Sequence, residues 1–326
     1  MALHRFARPL PPAYSEKRTI ETTLSPHPGS INIYFYMPKG YQQRKAEQKY
    51  PLLVHFHGGG FTLGCATDDC RWFGAVLETI DAIIATVDYR LAPEYPFPTA
   101  VDDGTDAILW LVSQASKMGI DLDAGITISG FSAGGNLAFT VPLKLYEIGA
   151  VLPISAIVSW YPPTNYTITR TERNKTNPRP DLGLPDYLTS LFDQSYIYPP
   201  EYAHDVLVSP ALATDIQLID ALPRDIWIYT CEYDDLCDEG KKFAERLRDL
   251  GQHRSHEETP GQTTSLSQLG RENELHKYVR YTMIEGVQHA WDKAPNPLWI
   301  NEIARAWYKH AVEDLRATWI PQPKSP

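Results

Sequence analysis

A serine between two glycines separates a strand-like run from a helical pattern in TISGFSAGGNLAF, residues 127–139. The run Ile126–Ser129 is apolar or β-branched, which is typical of a buried strand, and apolar positions from Leu137 to Ile148 recur with helical spacing. The glycines around Ser132 remove Cβ atoms that would block a sharp strand-to-helix turn. This G-x-S-x-G segment predicts that Ser132 projects from the carboxyl edge of a sheet; the alternative is a glycine-rich turn with an inert serine.

Strand-like and helical segments alternate from about residue 50 to the end of the chain, which predicts an α/β fold. Parallel strands need crossover connections, so we expect a mostly parallel sheet with helices on both faces. A strand pair over Thr19–Met37, around the turn SPHPGS, is expected to be antiparallel and to form one edge. The remaining strand-like runs are Ile31–Met37, Leu52–Phe56, Ile83–Val87, Ile126–Ser129, Ile154–Trp160, Ile226–Thr230 and Tyr281–Ile284.

Charge and hydropathy exclude several classes of partner. The chain has 326 residues and a formal net charge of −10, and it contains no run of five basic residues, which argues against nucleic acid and anionic membrane surfaces. No window approaches 18 uninterrupted apolar residues, and the opening MALHRFARPLPPAY lacks the apolar core of a signal peptide. We therefore expect a cytoplasmic protein without a membrane span that acts on small molecules.

The cysteines predict neither a disulfide framework nor a metal site. The chain has four, and none of them form a CxxC pair. Free thiols at Cys65, Cys70, Cys231 and Cys237 are the expectation, and no cofactor is predicted.

Three adjacent glycines follow the strand-like run PLLVHF in the segment HGGGF, residues 57–61. A nucleophilic serine puts negative charge on the substrate's carbonyl oxygen, and this oxygen needs N–H donors that are fixed before the reaction. We expect the N–H groups of Gly58 and Gly59 to join that of Ala133 as an oxyanion hole. A glycine hinge without a ligand is the alternative. His57 precedes the loop directly and is expected to order it, not to act as a base.

A serine nucleophile also needs a base, and His289 is the best candidate. It lies in GVQHAW, directly after the strand-like YTMIEG and before a final helical stretch at about Leu298–Leu315. The other histidines after Ser132 lie in polar or helical segments, where a solvated histidine is the simpler interpretation: His204, His253, His256, His276 and His310.

The acid that orients the base is expected after the strand IWIYT, which runs into CEYDDLCDEG. Position relative to the strand end favours Asp234. Asp238 and Glu239 look like first-turn residues of the next helix, where carboxylates suit the helix dipole. Spacing alone leaves Glu232 and Asp235 open as well.

Two segments interrupt the alternating pattern. Pro162–Asp205 is rich in proline and tyrosine, with weak helical periodicity at Tyr187–Phe192, and it predicts an excursion from the sheet that covers a pocket or forms a plain surface insertion. Gly251–Lys277 is polar and predicts an exposed loop.

Five motifs in matching order give the chain a resemblance to the hormone-sensitive-lipase-type branch of the α/β-hydrolases. They are HGGGF at 57–61, DYRLAPEYPFP at 88–98, GFSAGGNLA at 130–138, DDLCDEG from Asp234, and GVQHAW around His289. The resemblance covers nearly all of the chain from about residue 30.

This resemblance implies one α/β-hydrolase domain over residues 1–326 with an eight-stranded sheet. It implies a small cap made of the N-terminal segment, about residues 1–18, and an insertion over 163–205. It also implies ester hydrolysis through an acyl-enzyme without a cofactor, and it matches Asp234 to the family's acid. A homodimer is one alternative for the oligomeric state.

The chain departs from the family pattern at several positions. Phe131 stands where the family commonly has an aspartate before the nucleophile, and Asp235 stands where it usually has a proline. The interval from the acid to the histidine is long because of the polar loop 251–277. In DYRLAPEYPFP the family's role is structural, so Arg90 and Glu94 are placed outside the catalytic set.

The sequence therefore predicts a serine hydrolase for small to medium carboxylic esters, with Ser132, Asp234 and His289 as a triad. Trp160 and Tyr161 suggest an aromatic pocket wall. The first alternative is a biosynthetic hydrolase, acyl transferase or lyase acting on a thioester, lactone or other natural-product intermediate. A non-catalytic ligand receptor on the same fold is the second, although such receptors lack part of the triad.

Overall fold

The computed structural model describes residues 11–253, 277–293 and 302–319. Eight strands of this part form one sheet in the order β1-β2-β4-β3-β5-β6-β7-β8. Their bounds are β1 Glu16–Glu21, β2 Ser30–Tyr36, β3 Leu52–Phe56, β4 Ile83–Asp88, β5 Ile126–Phe131, β6 Ile154–Trp160, β7 Asp225–Tyr233 and β8 Tyr278–Gln288.

The sheet is mostly parallel, as the alternating sequence pattern predicts. β1 pairs with β2, and β2 with β4, in antiparallel fashion, while the other neighbours are parallel. The predicted antiparallel edge is thus confirmed. The strands Leu52–Phe56 and Ile154–Trp160 have the predicted bounds, whereas β7 and β8 extend beyond the predicted runs at both ends.

Helices cover both faces of the sheet and enclose two hydrophobic clusters. One cluster lies under the helices Thr99–Ser113, Ala133–Glu147 and Cys237–His253, and the other lies under the helices Cys70–Thr79 and Glu302–Trp319. The described helices are α1 Tyr41–Arg44, α2 Cys70–Thr79, α3 Thr99–Ser113, α4 Ala115–Met118, α5 Ala133–Glu147, α6 Arg170–Asn174, α7 Asp186–Tyr196, α8 Asp215–Ala221, α9 Cys237–His253 and α10 Glu302–Trp319.

The central strands explain where a site can form. All residues of β3 and β5 are buried, because both faces of these strands are covered by helices. β3, β5, β7 and β8 run in the same direction, so the loops after them meet at one edge of the sheet. These loops contain the glycine triple, Ser132, Asp234 and His289.

The segment DYRLAPEYPFP ties the edge strands to α3. The Arg90 guanidinium donates from Nε and Nη2 to both carboxylate oxygens of Asp103, and its Nη1 donates to the His27 carbonyl at 2.7 Å. Asp106 accepts from the backbone N–H groups of Thr23 and Leu24. These contacts give Arg90 a structural role, as the resemblance implies.

The segment 163–205 leaves the sheet and contains α6, α7 and two 3-10 turns, Pro180–Leu182 and Pro200–His204. Residues 1–10 of the predicted N-terminal cap and 254–276 of the predicted polar loop lie outside the described residues. The four cysteines are free thiols. Among the described residues, no helix combines the length and the apolar character needed to cross a lipid bilayer.

A buried carboxylate in α3 makes a prediction about stability. Asp102 is 3% exposed, and burial raises its pKa to about 6, with further contributions from Asp103 and Asp106. Because this pKa lies above the unfolded value of about 4, ionisation of Asp102 reduces stability as the pH rises through that interval. We expect Asp102→Asn to raise the free energy of unfolding at pH 8 by on the order of 2 kcal/mol. At pH 4 the free energy of unfolding should be nearly the same in the variant and the wild type, because Asp102 is then protonated in the folded protein.

Urea unfolding at both pH values measures the effect. Asp123→Asn, which removes a carboxylate at an exposed position, is the matched control. An equal gain at pH 4 and pH 8 would show that the ionisation of Asp102 is not the cause.

Candidate active site

Ser132 occupies a strained turn between β5 and α5. Its φ is 51° and its ψ is −116°, and its N–H donates to the Trp160 carbonyl at 2.9 Å. A Cβ added at Gly130 would lie 2.0 Å from the Gly134 carbonyl oxygen, and one at Gly134 would lie 2.0 Å from the Phe56 carbonyl oxygen. Only glycine fits at these two positions, and the strain is maintained by the packing around it.

Ser132, His289 and Asp234 form a continuous hydrogen-bond chain. His289 Nε2 lies 2.9 Å from Ser132 Oγ, and His289 Nδ1 lies 2.7 Å from Asp234 Oδ2. The Leu236 N–H donates to Asp234 Oδ1 at 3.0 Å, which fixes the carboxylate. His289 is 8% exposed and Asp234 is 3% exposed, so both side chains are largely shielded from water.

This arrangement can move a proton away from the serine hydroxyl. With Nδ1–H donated to Asp234, the imidazole presents an unprotonated Nε2 toward Ser132. The ring of Tyr161 packs edge-on against that of His289, with centroids 4.7 Å apart, and restricts its orientation.

The glycine triple after β3 lies beside the serine. Gly59 has φ of 126° and Gly60 has φ of 60°, values that favour glycine, and both residues line a cavity together with Ser132. Within the described part of the chain, the N–H groups of Gly58, Gly59 and Ala133 donate to no other acceptor. These N–H groups are therefore free to stabilise an oxygen anion in the cavity.

His57 orders this loop. Its Nδ1 donates to the Gly58 carbonyl at 2.8 Å, and its ring stacks on that of Tyr89 with centroids 4.2 Å apart. The Tyr89 hydroxyl donates to the His57 carbonyl at 2.8 Å. The side chain is completely buried, which agrees with the predicted structural role.

The cavity at the carboxyl edge has a volume of about 230 Å³. One wall consists of apolar and aromatic side chains from the segment 163–205, and the opposite wall consists of the glycine triple and the Ser132 turn. The wall from the segment contains Tyr166, Leu184, Leu188 and Phe192. Such a cavity suits an uncharged, partly apolar ligand.

Two cations line this cavity, and carboxylates neutralise both. Arg170 donates to both carboxylate oxygens of Asp193, at 2.7 and 2.9 Å. The Lys293 ammonium lies between Asp69 and Asp292, with Asp292 Oδ2 at 2.8 Å, and lies 3.4 Å from the centroid of the Phe131 ring. The ring therefore provides a cation–π contact where the related family commonly has a carboxylate.

The Lys293 cluster, defined as Lys293, Asp69 and Asp292, connects the loops that surround the site. Burial by itself would raise the pKa of both carboxylates, but the Lys293 ammonium and the hydrogen-bond donors around them together outweigh it and lower both pKa values. Burial would likewise lower the pKa of Lys293, and the two carboxylates raise it instead. All three groups are thus charged at neutral pH.

The outer partners of the cluster are strand and loop residues. His55 Nε2 donates to Asp69 Oδ2 at 2.8 Å, and Asp292 accepts from the hydroxyl of Tyr161 at 2.5 Å. Tyr161 is the residue that packs on His289. The cluster therefore links the β3 strand and the start of α2 to the histidine loop.

The other candidate histidines lie away from the serine or outside the description. His204 and His310 are exposed. The side chain of His253 and the residues His256 and His276 lie outside the described part of the chain, as does the start of the predicted final helix at 298–301.

The alternative acids have other partners. Glu232 accepts from the Gly286 N–H at 2.7 Å, and Asp238 pairs with Lys242 on the first turns of α9. Glu239 forms a buried ion pair of 2.7 Å with Arg173, and Asp235 accepts from Asn177. Asp234 is the acid that reaches His289.

Sequence reasoning missed the Lys293 cluster and the cation Arg170. Lys293 follows His289 by four residues, but its carboxylate Asp69 is remote in sequence and no motif connects the two. The only available signal was Phe131, an apolar residue at a position where the family commonly has a charge.

A family model described as having the α/β-hydrolase fold matches residues 53–266. An arylesterase of Saccharolobus solfataricus is 34% identical over 203 residues, which are 61% of this chain and 63% of that protein. The human hormone-sensitive lipase is 36% identical over 121 residues, 37% of this chain and 11% of that protein. The alignments thus span less than two thirds of either relative.

A structure described as a hyperthermophilic esterase from the archaeon Pyrobaculum calidifontis superimposes with a TM-score of 0.75. It is 25% identical in sequence, and the superposition covers 97% of this chain and 87% of that chain. The similarity of fold therefore extends over nearly the whole chain.

The Lys293 cluster predicts a pH-dependent loss of stability. Lys293→Met leaves Asp69 and Asp292 buried without their cation, which costs about 3–5 kcal/mol at neutral pH. In the variant both carboxylates have raised pKa values, so this loss grows as the pH rises and shrinks as the carboxylates become protonated in acid. Urea unfolding of the variant and the wild type at pH 5 and pH 8 measures the difference.

Lys241→Met is the control, because it removes an exposed lysine that lies 4.0 Å from Glu245. We expect a loss below about 1 kcal/mol there. A Lys293→Met protein as stable as the wild type at pH 8 would contradict the assignment of charges in the cluster.

Proposed function

The chain belongs to the α/β-hydrolase fold family, in its hormone-sensitive-lipase-type branch, and we propose that it is a serine hydrolase that cleaves carboxylic esters through an acyl-enzyme. The observation that carries this proposal is the hydrogen-bond chain from Ser132 through His289 to Asp234 beside the free N–H groups of the glycine loop. The relatives named as esterases support it.

In the acylation step, Ser132 Oγ attacks the ester carbonyl carbon while His289 Nε2 accepts the hydroxyl proton. Asp234 holds Nδ1–H and stabilises the imidazolium that forms. The N–H groups of Gly58, Gly59 and Ala133 donate to the oxyanion, and one such donor contributes about 3 kcal/mol to the transition state. His289 then gives the proton to the departing alkoxide, and an alcohol leaves.

In the deacylation step, water attacks the acyl carbon of the Ser132 ester, with His289 as the base. The same N–H groups stabilise the second oxyanion. Its collapse releases a carboxylic acid and returns the proton to Ser132. Water replaces the proton that leaves with the alcohol, and His289 carries each proton between the reacting oxygens, so the cycle closes without a cofactor.

The size and lining of the cavity support a small to medium ester as the substrate. About 230 Å³ lies below the usual range for sites that bind drug-sized ligands. We propose that the segment 163–205 acts as the cap that provides the apolar wall. We propose a cytoplasmic location, and a homodimer is one alternative for the oligomeric state.

The first test of this function is loss of the nucleophile. We expect Ser132→Ala to reduce kcat on p-nitrophenyl butyrate by about 10⁴-fold or more, because the variant lacks the hydroxyl that forms the acyl-enzyme. Pre-steady-state release of p-nitrophenol and labelling by a fluorophosphonate should both disappear. Ser116→Ala, which changes an exposed serine in α4, is the matched control.

A folded wild-type protein without turnover on a broad ester panel would refute the proposal. So would labelling that persists in Ser132→Ala at the wild-type rate.

A second prediction follows from the cavity volume. Among p-nitrophenyl esters, we expect kcat/KM to be highest for acetyl to hexanoyl groups and to fall for decanoyl and longer chains, which cannot be enclosed. Leu188→Ala, which enlarges the apolar wall, should shift the optimum toward longer chains. A wild-type preference for decanoate over butyrate would contradict the assignment of this cavity as the acyl or alcohol site.

A further inference from the structure

The carboxylate of Asp235 is buried directly beside the acid of the site. Asp235 is 8% exposed and lines the catalytic cavity as well as a second cavity of about 360 Å³ on its other side. Within the described part of the chain it forms no ion pair. A buried carboxylate without a cation is costly unless hydrogen bonds satisfy it, so its partners define its role.

Two asparagines from the segment 163–205 satisfy this carboxylate. Asn177 Nδ2 donates to Asp235 Oδ1 at 2.7 Å, and Asn177 is itself 5% exposed. The side-chain amide of Asn174 satisfies its neighbours when its nitrogen faces the carboxylate. In this orientation it donates to Asp235 Oδ2 at 2.8 Å and to Oδ1 at 3.0 Å. We name these three residues the Asp235 clamp.

The clamp holds the loop that orients Asp234. The Leu236 N–H donates to Asp234 Oδ1, and the Cys237 N–H donates to the Asp234 carbonyl at 3.0 Å. The direction of the Asp234 carboxylate therefore depends on the path of the backbone through residues 235–237. The side chain of Asp235 ties this turn to the segment 163–205.

The partners of Asp235 are themselves held in place. Arg173, next to Asn174, forms the ion pair with Glu239, in which the two side chains are 2% and 3% exposed. Asn177 Oδ1 accepts from the Arg179 N–H at 2.9 Å. α6 is therefore held to α9 by a contact outside the clamp, and the turn that carries Asn177 has a local hydrogen bond of its own.

We propose that Asp235 is a positioning residue, through which the segment 163–205 fixes the acid loop and thereby sets the distance from Asp234 to His289. The inference rests on the proposed function and deepens it. The resemblance places a proline at this position in the family, and a proline ring restricts the backbone of a turn. In this chain, the hydrogen bonds from Asn174 and Asn177 to Asp235 restrict the turn instead. The segment is thus part of the acid's support as well as a cavity wall.

The test compares Asp235→Ala, Asn177→Ala and the double variant. Displacement of the Asp234 carboxylate by up to 1 Å lowers the rate of the chemical step by about 10- to 100-fold. We therefore expect kcat on p-nitrophenyl butyrate to fall by this factor, while KM changes by less than about twofold. The double variant should lose no more than Asp235→Ala alone, because both changes break the same contact.

A spectroscopic readout tests the geometry without turnover. The proton on His289 Nδ1, in its hydrogen bond to Asp234, gives a far-downfield ¹H NMR resonance, which should broaden or move upfield in both single variants. Failure of the proposed function would appear as a wild-type protein that shows this resonance but hydrolyses no ester. Failure of the clamp would appear as an active wild type with an unaffected resonance in the variants.

Asp181→Ala is the matched control. It removes an exposed aspartate of the same segment, paired with Arg179 at 2.7 Å, and should leave kcat, KM and the resonance unchanged. If Asp235→Ala does not fold, Asn177→Ala carries the same test, because it keeps the carboxylate and removes one donor. The proposal is overturned if folded Asp235→Ala and Asn177→Ala proteins keep the wild-type kcat and resonance, or if only KM changes. It is also overturned if the loss of kcat in the double variant equals the product of the losses in the two single variants.

Discussion

The approach of the α5 start to the end of β3 is the contact on which the site depends. A single Cβ at Gly134 would lie 2.0 Å from the Phe56 carbonyl oxygen, so the two backbones meet with no room for a side chain. This contact sets the Ser132 turn against the glycine loop. The nucleophile and the N–H groups that would stabilise an oxyanion therefore share one rigid unit, and only the base and the acid come from elsewhere.

The acid Asp234 lies on the loop after β7, and the base His289 lies on the loop after β8. Buried polar contacts hold both loops. The Lys293 cluster fixes the histidine loop through Tyr161, and the Asp235 clamp fixes the acid loop. Buried charges contribute little net stability when they replace apolar packing, but the loss of one member is costly. At this edge of the sheet, the buried charged groups therefore act mainly to fix the positions of the two loops, because few other loop arrangements would pair every charge.

The sequence predicted the parts of the fold that local patterns determine. Buried strands such as Leu52–Phe56 and the glycine-flanked Ser132 carry their signals within a few residues, and the expected chain order directed attention to Asp234 and His289. The Lys293–Asp69 contact could not be predicted, because the partners lie far apart in the chain and a lysine near a loop usually faces solvent. The structure brings Ser132, His289 and Asp234 within hydrogen-bond distance.

The segment 163–205 touches both halves of the site, and this limits how it can vary. Phe192 packs against Gly60 so closely that a Cβ there would lie 2.3 Å from its ring, while Asn177 holds Asp235 on the opposite side. A substitution at Phe192 that reshapes the apolar wall therefore also changes the packing against the glycine loop. Substrate preference and catalytic geometry are therefore coupled through the segment 163–205. Leu188 lines the cavity but takes part in neither the Phe192–Gly60 contact nor the Asn177–Asp235 contact, so a substitution there can alter substrate preference without disturbing the catalytic geometry.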